Sequence, residues 1–331
     1  MHPLVYFARP QISKAEIAAA TEALQSRHLT AGGRVMQFEE RFQDFIGGGM
    51  AVAVSSCMAA LHLAYLMLGI RQGDEVIVPA LTHVATAHAV ELVGARPVFV
   101  DVHPSSGNLD PDLIPAKLTK RTKAISVVHF LGVPGYMRTL SGLAKLEGLH
   151  LIEDCALALG TDHDFSKKHV GLIGDIGCFS FYPAKHITTG EGGMFVTTSP
   201  ELAERAKRLR AFGLEAGDAI DLGLNYRMTE FQAAIGLEQL KRLPAFLAAR
   251  RRNADMVRRA LDKFEPVGWD YAVAVKVPEH RNRDEVRHRM LNDLIETSVY
   301  YARPVPDMAY YRREYGEQPH PVARMFCERY I

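Results

Sequence analysis

Seven short apolar runs, rich in Val and Ile, alternate with longer segments between residues 51 and 198. A strand that is apolar along its whole length is buried on both faces, which is typical of a parallel sheet covered by helices. The alternation therefore predicts an α/β fold built on a mostly parallel, seven-stranded sheet. The runs lie at residues 51–55, 75–80, 97–102, 124–130, 150–154, 178–183 and 193–198.

Helical patterns flank this region on both sides. Ser13, with Glu16 three residues later, forms a capping-box signature at the start of a helix over residues 13–26. A long helical pattern from about 229 to 262 contains Pro244, which predicts an interruption, because proline removes a helical hydrogen bond.

The last part of the chain has a different pattern. A strand at 270–278, a charged helix at about 283–296 and another strand at 298–302 predict a smaller α+β unit. We therefore expect a large domain over residues 1–245 and a small C-terminal domain over residues 246–331.

Charge and composition exclude several classes of partner. Lys and Arg number 39 and Asp and Glu 38, so the net charge of +1 argues against nucleic-acid binding, and the cluster at 250–252 is interpreted as a solvated helix face. No apolar run approaches 18 residues, so we expect no membrane span. The four cysteines are scattered and form no C-x-x-C pair, which predicts reduced thiols in the cytoplasm and no metal site.

Chemically distinctive segments follow the predicted strands, where ligands bind in an open α/β sheet. Cys57 and Met58 begin a helix, and their backbone N–H groups could bind an anion, although a simple N-cap by Ser56 explains the same pattern. His83 follows the next run. Its flat ring could lie over a cofactor ring, or it is an ordinary core or surface histidine.

Two further segments carry a carboxylate and an amine. Asp154 ends a buried run and needs a partner, either a protonated pyridine nitrogen or a structural ion pair. Lys185 lies between an aromatic run and a glycine-rich turn. A buried lysine loses its proton readily and can bond an aldehyde cofactor, whereas a lysine in a surface loop has no such role. Ser180, five residues earlier, could hold a phosphate.

Together these segments resemble the DegT/StrS family of sugar aminotransferases, which have the fold-type I architecture and use pyridoxal 5'-phosphate (PLP). The most specific feature is the pattern S-F-x-x-x-K-x-x-x-x-G-E-G-G from Ser180 to Gly193, because it fixes the serine, the lysine and the glycines together. The resemblance extends from the N-terminal helix to about residue 245. It includes the segments 29–32, 73–79, 94–101 and 225–228.

The resemblance implies a role for each candidate residue. Lys185 would bond the aldehyde of PLP and then move a proton to and from the reacting carbon. Asp154 would keep the pyridine nitrogen protonated, which makes the ring an electron sink. His83 would stack on the ring, while Ser180 and the turn at 57–58 would bind the phosphate.

The resemblance also implies an assembly and shows departures. Asn225 would reach the phosphate in a neighbouring subunit, so the active unit would be a homodimer with shared sites. Family members often have Gly-Thr where this chain has Cys57 and Met58. They often have glutamine in place of Leu157 and a larger aromatic ring in place of His83. The small C-terminal domain is shorter than is usual in the family.

The resemblance finally implies the reaction. The chain would move an amino group from an amino acid, L-glutamate, to a nucleotide-linked keto-sugar during the synthesis of deoxyamino sugars or surface polysaccharide. Two alternatives stay open. One is a PLP- or pyridoxamine-dependent sugar 3-dehydratase, whose relatives carry histidine in place of Lys185, and the other is a non-catalytic regulator on the same fold.

Overall fold

The computed structural model describes residues 4–30, 32–163, 165–269 and 271–331. Within these ranges all seven expected strands of the main sheet form. They are β1 Met50–Val54, β2 Glu75–Pro79, β3 Arg96–Val100, β4 Thr122–Val128, β5 His150–Asp154, β6 Ile176–Ser180 and β7 Gly193–Thr197. Ala31, in the expected family segment 29–32, and residue 270, the first of an expected strand, lie outside the described residues.

The sheet has the order β1-β7-β6-β5-β4-β2-β3. The neighbouring pairs among β2 to β6 are parallel, whereas β7 runs antiparallel to both β1 and β6. The expectation of a mostly parallel, seven-stranded α/β fold is therefore confirmed. Gly193 lies opposite both Val54 and Ser180, so the ends of β1 and β6 meet at one edge of the sheet.

Helices cover the sheet on both faces. They are α1 Lys14–Gln25, α2 Gly33–Ile46, α3 Cys57–Met67, α4 Val84–Leu92, α5 Met137–Glu147, α6 Pro200–Leu209, α7 Glu230–Ala260, α8 Arg283–Asn292, α9 Ala309–Tyr315 and α10 Pro321–Arg329. Val76 and Val78 of β2 pack in the cluster that includes α3 and α4, and Ile77 packs in the cluster that includes α5. The alternation of side chains along a strand therefore buries both faces of the sheet.

The two sequence signals for helix ends have different outcomes. The capping box of Ser13 and Glu16 is confirmed at the start of α1. The expected interruption at Pro244 is wrong, because α7 continues through this residue. α7 packs along α1 and α2, and this packing outweighs the hydrogen bond that the proline cannot make.

The two strands expected near the C-terminus are corrected by the structure. Within the expected strand at 270–278, the structure has the two-residue strand Val273–Ala274 (β11), paired with Val267–Gly268 (β10), and an isolated bridge from Lys276 to Tyr330. A second short hairpin pairs Leu214–Glu215 (β8) with Asp218–Ala219 (β9). Residues 298–302 form no strand. Tyr300 and Tyr301 pack their rings against other aromatic side chains instead of aligning in a sheet.

The C-terminal segment shares the core of the main sheet. Val305 and Phe326 belong to the same buried cluster as Tyr65 of α3, and the N–H of Val305 donates to the carbonyl of Ala80 at 3.0 Å. α7 spans residue 245, so the predicted division between 1–245 and 246–331 falls inside a helix. The division stays a prediction. In the described part of the chain, no helix combines the length and apolarity that crossing a membrane requires.

A buried carboxylate fixes the end of β5. Glu153 is fully buried, and its oxygens accept hydrogen bonds from the backbone N–H groups of Gly171, Ile173 and Gly174 at 2.6–2.9 Å. His129 Nε2 lies 3.0 Å from the same carboxylate, and its Nδ1 accepts from the N–H of Gly135. Burial raises the pKa of Glu153, but His129 and these backbone donors outweigh it and hold the pKa below its ordinary value.

We expect Glu153→Gln to lower the free energy of unfolding by about 3 kcal/mol at neutral pH, because a buried charge network loses its centre. Since the folded pKa is depressed, this stabilisation is present above the ordinary pKa of glutamate and is lost as the pH falls through the lowered value. Urea unfolding at several pH values tests this. The difference in unfolding free energy between the wild type and Glu153→Gln should become smaller in acid. Equal unfolding free energies at neutral pH would contradict the prediction.

Candidate active site

A cavity of about 460 Å³ lies where β5 and β6 end, within the size range of small-molecule and cofactor sites. It gathers six of the seven residues predicted from the sequence as site residues. These are Cys57, Met58, His83, Asp154, Ser180 and Lys185. The cavity lies at the carboxyl ends of parallel strands, where an open α/β sheet binds its ligands.

Lys185 follows β6 in a loop that returns to the sheet. Its N–H donates to the carbonyl of Tyr182 at 2.9 Å, and Thr188 and Thr189 both bond the carbonyl of Phe181, which closes the loop. Burial lowers the pKa of the Lys185 amine, against the opposing effects of Cys57 and Asp154. The amine is therefore more readily deprotonated than an exposed lysine, as a nucleophile requires.

Asp154 ends β5 and faces the same cavity. One carboxylate oxygen accepts a hydrogen bond from the Thr86 hydroxyl at 2.8 Å, and the other accepts from the N–H of Ala156 at 3.1 Å. The Thr86 hydroxyl lies 2.8 Å from that of Thr82, so the pair forms a short chain toward the carboxylate. Sequence reasoning missed Thr86. Its signal was its position one helical turn after His83, on the helix that follows β2.

The start of α3 forms the third part of the site. Ser56 caps the helix, and its hydroxyl accepts from the N–H of Ala59 at 3.0 Å. Cys57 and Met58 are the first two helical residues, so their N–H groups have no partner within the helix. Gly193 lies so close to this turn that a Cβ would be 2.6 Å from the nitrogen of Cys57. With Ser180 beside Gly193 in β6, this turn suits an anion such as phosphate.

His83 lies at the rim of the cavity. It is the N-cap of α4, and its Nδ1 accepts from the N–H of Ala85 at 3.2 Å. Its ring is 6.0 Å from that of Tyr301, nearly perpendicular to it. Tyr301 lines the cavity and was also missed, because residues 298–302 were expected to form a strand. Leu157, where the family often has glutamine, is a buried residue of the cavity wall.

Asn225 does not join the other six. It is exposed, is absent from the cavity wall, and its side-chain oxygen accepts from Arg227 Nε at 3.1 Å. Within one subunit the structure therefore separates this residue from the cavity.

A second cluster of potential ligand atoms lies behind the cavity. Among the described residues, His129, Glu153 and Cys155 place three such atoms within 4.8 Å of one another. The carboxylate oxygens of Glu153 already accept hydrogen bonds from His129 and three backbone groups. We interpret this cluster as a hydrogen-bonded support for β5.

The donor set of the cavity fits PLP. A carboxylate, a lysine with a lowered pKa and a helix N-terminus with an adjacent serine are the groups that a pyridine nitrogen, an aldehyde and a phosphate require. The groups follow β1, β5 and β6, whose ends meet at the cavity, so the cavity can contact all three parts of the cofactor at once.

Comparison with known proteins gives the family. Residues 10–331 match the DegT/DnrJ/EryC1/StrS aminotransferase family. The chain is 38% identical to GDP-perosamine synthase of Escherichia coli O157:H7 over 95% of this chain and 88% of that protein, and 41% identical to GDP-perosamine synthase of Caulobacter vibrioides over 86% and 81%. The solved structure of S. venezuelae DesV superposes with a TM-score of 0.91 and 33% identity, covering 99% of this chain and 92% of that one.

These matches span nearly the whole chain and agree with the cavity and its residues. The chain belongs to the DegT/DnrJ/EryC1/StrS aminotransferase family and is a sugar aminotransferase that uses pyridoxal 5'-phosphate.

Proposed function

We propose that this chain transfers an amino group from L-glutamate to a keto-sugar carried on a nucleotide, in the synthesis of a deoxyamino sugar for surface polysaccharide. The observation that carries the proposal is the placement of Lys185 and Asp154 in the wall of one cavity. The similarity to two GDP-perosamine synthases makes GDP-linked keto-sugars the first substrates to test.

Each residue then has a defined task. PLP, when bound, supplies an aldehyde and an electron-withdrawing ring. The amine of Lys185 would hold the cofactor at this aldehyde, and the same amine in its free form would move a proton to and from the reacting carbon. Asp154, oriented by Thr86, keeps a proton on the pyridine nitrogen. Ser180 and the first N–H groups of α3 bind the phosphate, and His83 packs on the ring.

The two alternatives have less support. A sugar 3-dehydratase would need histidine in place of the lysine, and His186 is the neighbouring candidate. His186 is buried against Tyr271 and does not line the cavity, whereas Lys185 does. A non-catalytic regulator would not need a lysine of lowered pKa facing a carboxylate, and the family that the chain matches is one of aminotransferases.

The active unit that we propose is a homodimer with shared sites. The segment before Asn225 carries the β8–β9 hairpin and four exposed apolar side chains, of which Leu222 is 95% exposed. The others are Phe212, Leu214 and Ile220. An exposed apolar patch of this kind is typical of an interaction surface. A second copy of the chain on this surface would bring Asn225 toward the partner's cavity.

We also place the reaction in the cytoplasm, on the basis of the cysteines. All four are free thiols, and three of them are buried. Unpaired thiols are typical of a reducing compartment.

For Asp154→Ala we expect turnover to fall by about 10²-fold or more, because a preorganised charge partner of the reacting system is lost. Cofactor affinity should change much less, since Ser180 and the start of α3 still bind the phosphate. Steady-state kinetics and cofactor titration of the variant separate the two effects. Thr86→Val keeps the carboxylate but removes its bond to Thr86, together with the contact between Thr86 and Thr82, and should show a smaller loss in the same direction. Near-normal turnover of Asp154→Ala would exclude the role.

The substrate proposal is tested with a panel of keto-sugar nucleotides and L-glutamate. We expect an aminated product from at least one nucleotide-linked keto-sugar, GDP-linked members first, and none from free sugars. Lys185→Ala should abolish the product, because one amine performs both the bonding and the proton transfer. Lys207→Ala is the matched control, since Lys207 is on α6 and pairs with Glu204. Product from Lys185→Ala, or amination of free sugars alone, would contradict the proposal.

The shared site is tested by complementation. Lys185→Ala is mixed with a strongly impaired Asn225 variant under conditions of subunit exchange. In a mixed dimer one site combines both defects, whereas the other has an intact Lys185 and the partner's intact Asn225. Part of the activity should therefore return. Mixed dimers that form and stay inactive would show that Asn225 does not act across the interface.

A further inference from the structure

The hairpin of β10 and β11 reaches the active-site lysine. Its short strands are Val267–Gly268 and Val273–Ala274. Gly268 has φ +117°, and a Cβ there would lie 2.0 Å from the carbonyl of Ala272, so only glycine fits. The N–H of Trp269 donates to the carbonyl of Leu131 at 2.9 Å, just beyond the end of β4. This bond fixes Trp269, next to the end of β10, beside the carboxyl ends of the strands of the main sheet.

Tyr271 lies shortly before β11 and is 5% exposed. Its ring faces the amine of Lys185, with 5.4 Å between the nitrogen and the ring centroid. Its hydroxyl is 2.6 Å from that of Tyr300, whose neighbour Tyr301 lines the cavity. The carbonyl of Tyr271 accepts from Arg250 Nη1 at 2.8 Å. Arg250 therefore packs inward, in contrast to the solvated face that the sequence predicted.

We propose that Tyr271 is a positioning residue for the amination reaction, because its ring holds the nitrogen of Lys185 toward the cavity and shields it from water. The inference rests on the role proposed above for Lys185. A lysine side chain has four flexible carbons, so a nitrogen without such a wall samples many positions. A cation near an aromatic face is also stabilised by the charge distribution of the ring.

Other groups around the amine do not replace this contact. Asp154 and Cys57 act on the amine electrostatically from the cavity side. The other titratable groups of the cavity wall are His83, Tyr182, Glu191 and Tyr301. His186 packs its ring 5.5 Å from that of Tyr271, and its Nε2 has no hydrogen-bond partner among the described residues. His186 thus supports Tyr271 by packing. Among the described aromatic side chains, Tyr271 alone places a ring face within cation–π distance of Lys185.

The test uses the cofactor-loaded enzyme and the variants Tyr271→Met and Tyr271→Phe. Met keeps an apolar side chain of adaptable shape, whereas Phe keeps the ring. The readout is the pH midpoint at which the visible absorbance of the bound cofactor changes, which reports the proton at its bond with Lys185. In the Met variant burial persists while the stabilisation of the cation is lost, so the midpoint should fall by about half a pH unit.

Turnover gives the second readout. We expect the kcat of Tyr271→Met to fall by about tenfold or more, because a misplaced reacting group slows the chemical step steeply. Tyr271→Phe should keep the midpoint and most of the kcat. Tyr310→Met, a change at a partly exposed ring on α9, is the matched control and should resemble the wild type.

A folded Tyr271→Met enzyme with the wild-type midpoint and kcat would overturn the proposal. If that variant does not fold, Tyr271→Phe still decides, since a shifted midpoint with the ring intact would also overturn it. Borohydride reduction and peptide mapping of the wild type come first. Attachment of the cofactor to another lysine would contradict the proposed role of Lys185. If the cofactor is attached to Lys185, an unchanged Tyr271→Met enzyme contradicts only the proposal for Tyr271.

Discussion

The bonds of Glu153 are the interaction on which the active site depends. Glu153 and Asp154 are consecutive at the end of β5, so their side chains point to opposite faces of the sheet. Glu153 is held by His129, the residue after β4, and by three N–H groups of the segment before β6. Behind the cavity, these bonds connect the end of β5 to the residue after β4 and to the segment before β6. The direction of Asp154 is therefore fixed by its neighbour as much as by its own bond to Thr86.

The main sheet was predictable because the burial of each strand leaves a pattern in a few consecutive residues. Each of the seven strands is buried on both faces, and that condition leaves a continuous apolar run in the sequence. In the C-terminal segment, the pattern of neighbouring residues does not determine the conformation. The aromatic and β-branched residues at 298–302 satisfy the pattern of a strand, yet Tyr300 and Tyr301 pack with Tyr271 and His83. The outcome depends on partners far along the chain, which no pattern of neighbouring residues encodes. The same reason explains the continuity of α7 at Pro244, where packing on α1 and α2 decides.

The candidate site was predictable where a chemical group follows a strand. Asp154, Ser180 and Lys185 each stand at or just beyond a strand end, and the sheet order brings those ends together. The sequence analysis missed three residues, Thr86, Tyr301 and Tyr271. Each contacts a site residue, and a residue type alone does not reveal such a contact. A threonine hydroxyl or a tyrosine ring is common, and only the distances to Asp154, His83 and Lys185 distinguish these.

Cys57 stands at the start of α3, where the family often has glycine, and its thiol adds no charge that would oppose an anion there. The Cys57 sulfur lies 3.9 Å from Asp154, and burial, together with that carboxylate, raises the pKa of the thiol well above its ordinary value. The thiol therefore stays neutral and adds no negative charge where a phosphate would bind. A thiolate there would oppose the dipole of α3, which favours an anion at its N-terminus. In the role proposed for this turn, backbone N–H groups bind the anion, so its side chains need only be uncharged. Met58, where the family often has threonine, has an uncharged thioether in place of a hydroxyl, so the proposed binding of phosphate would depend on the helix and on Ser180.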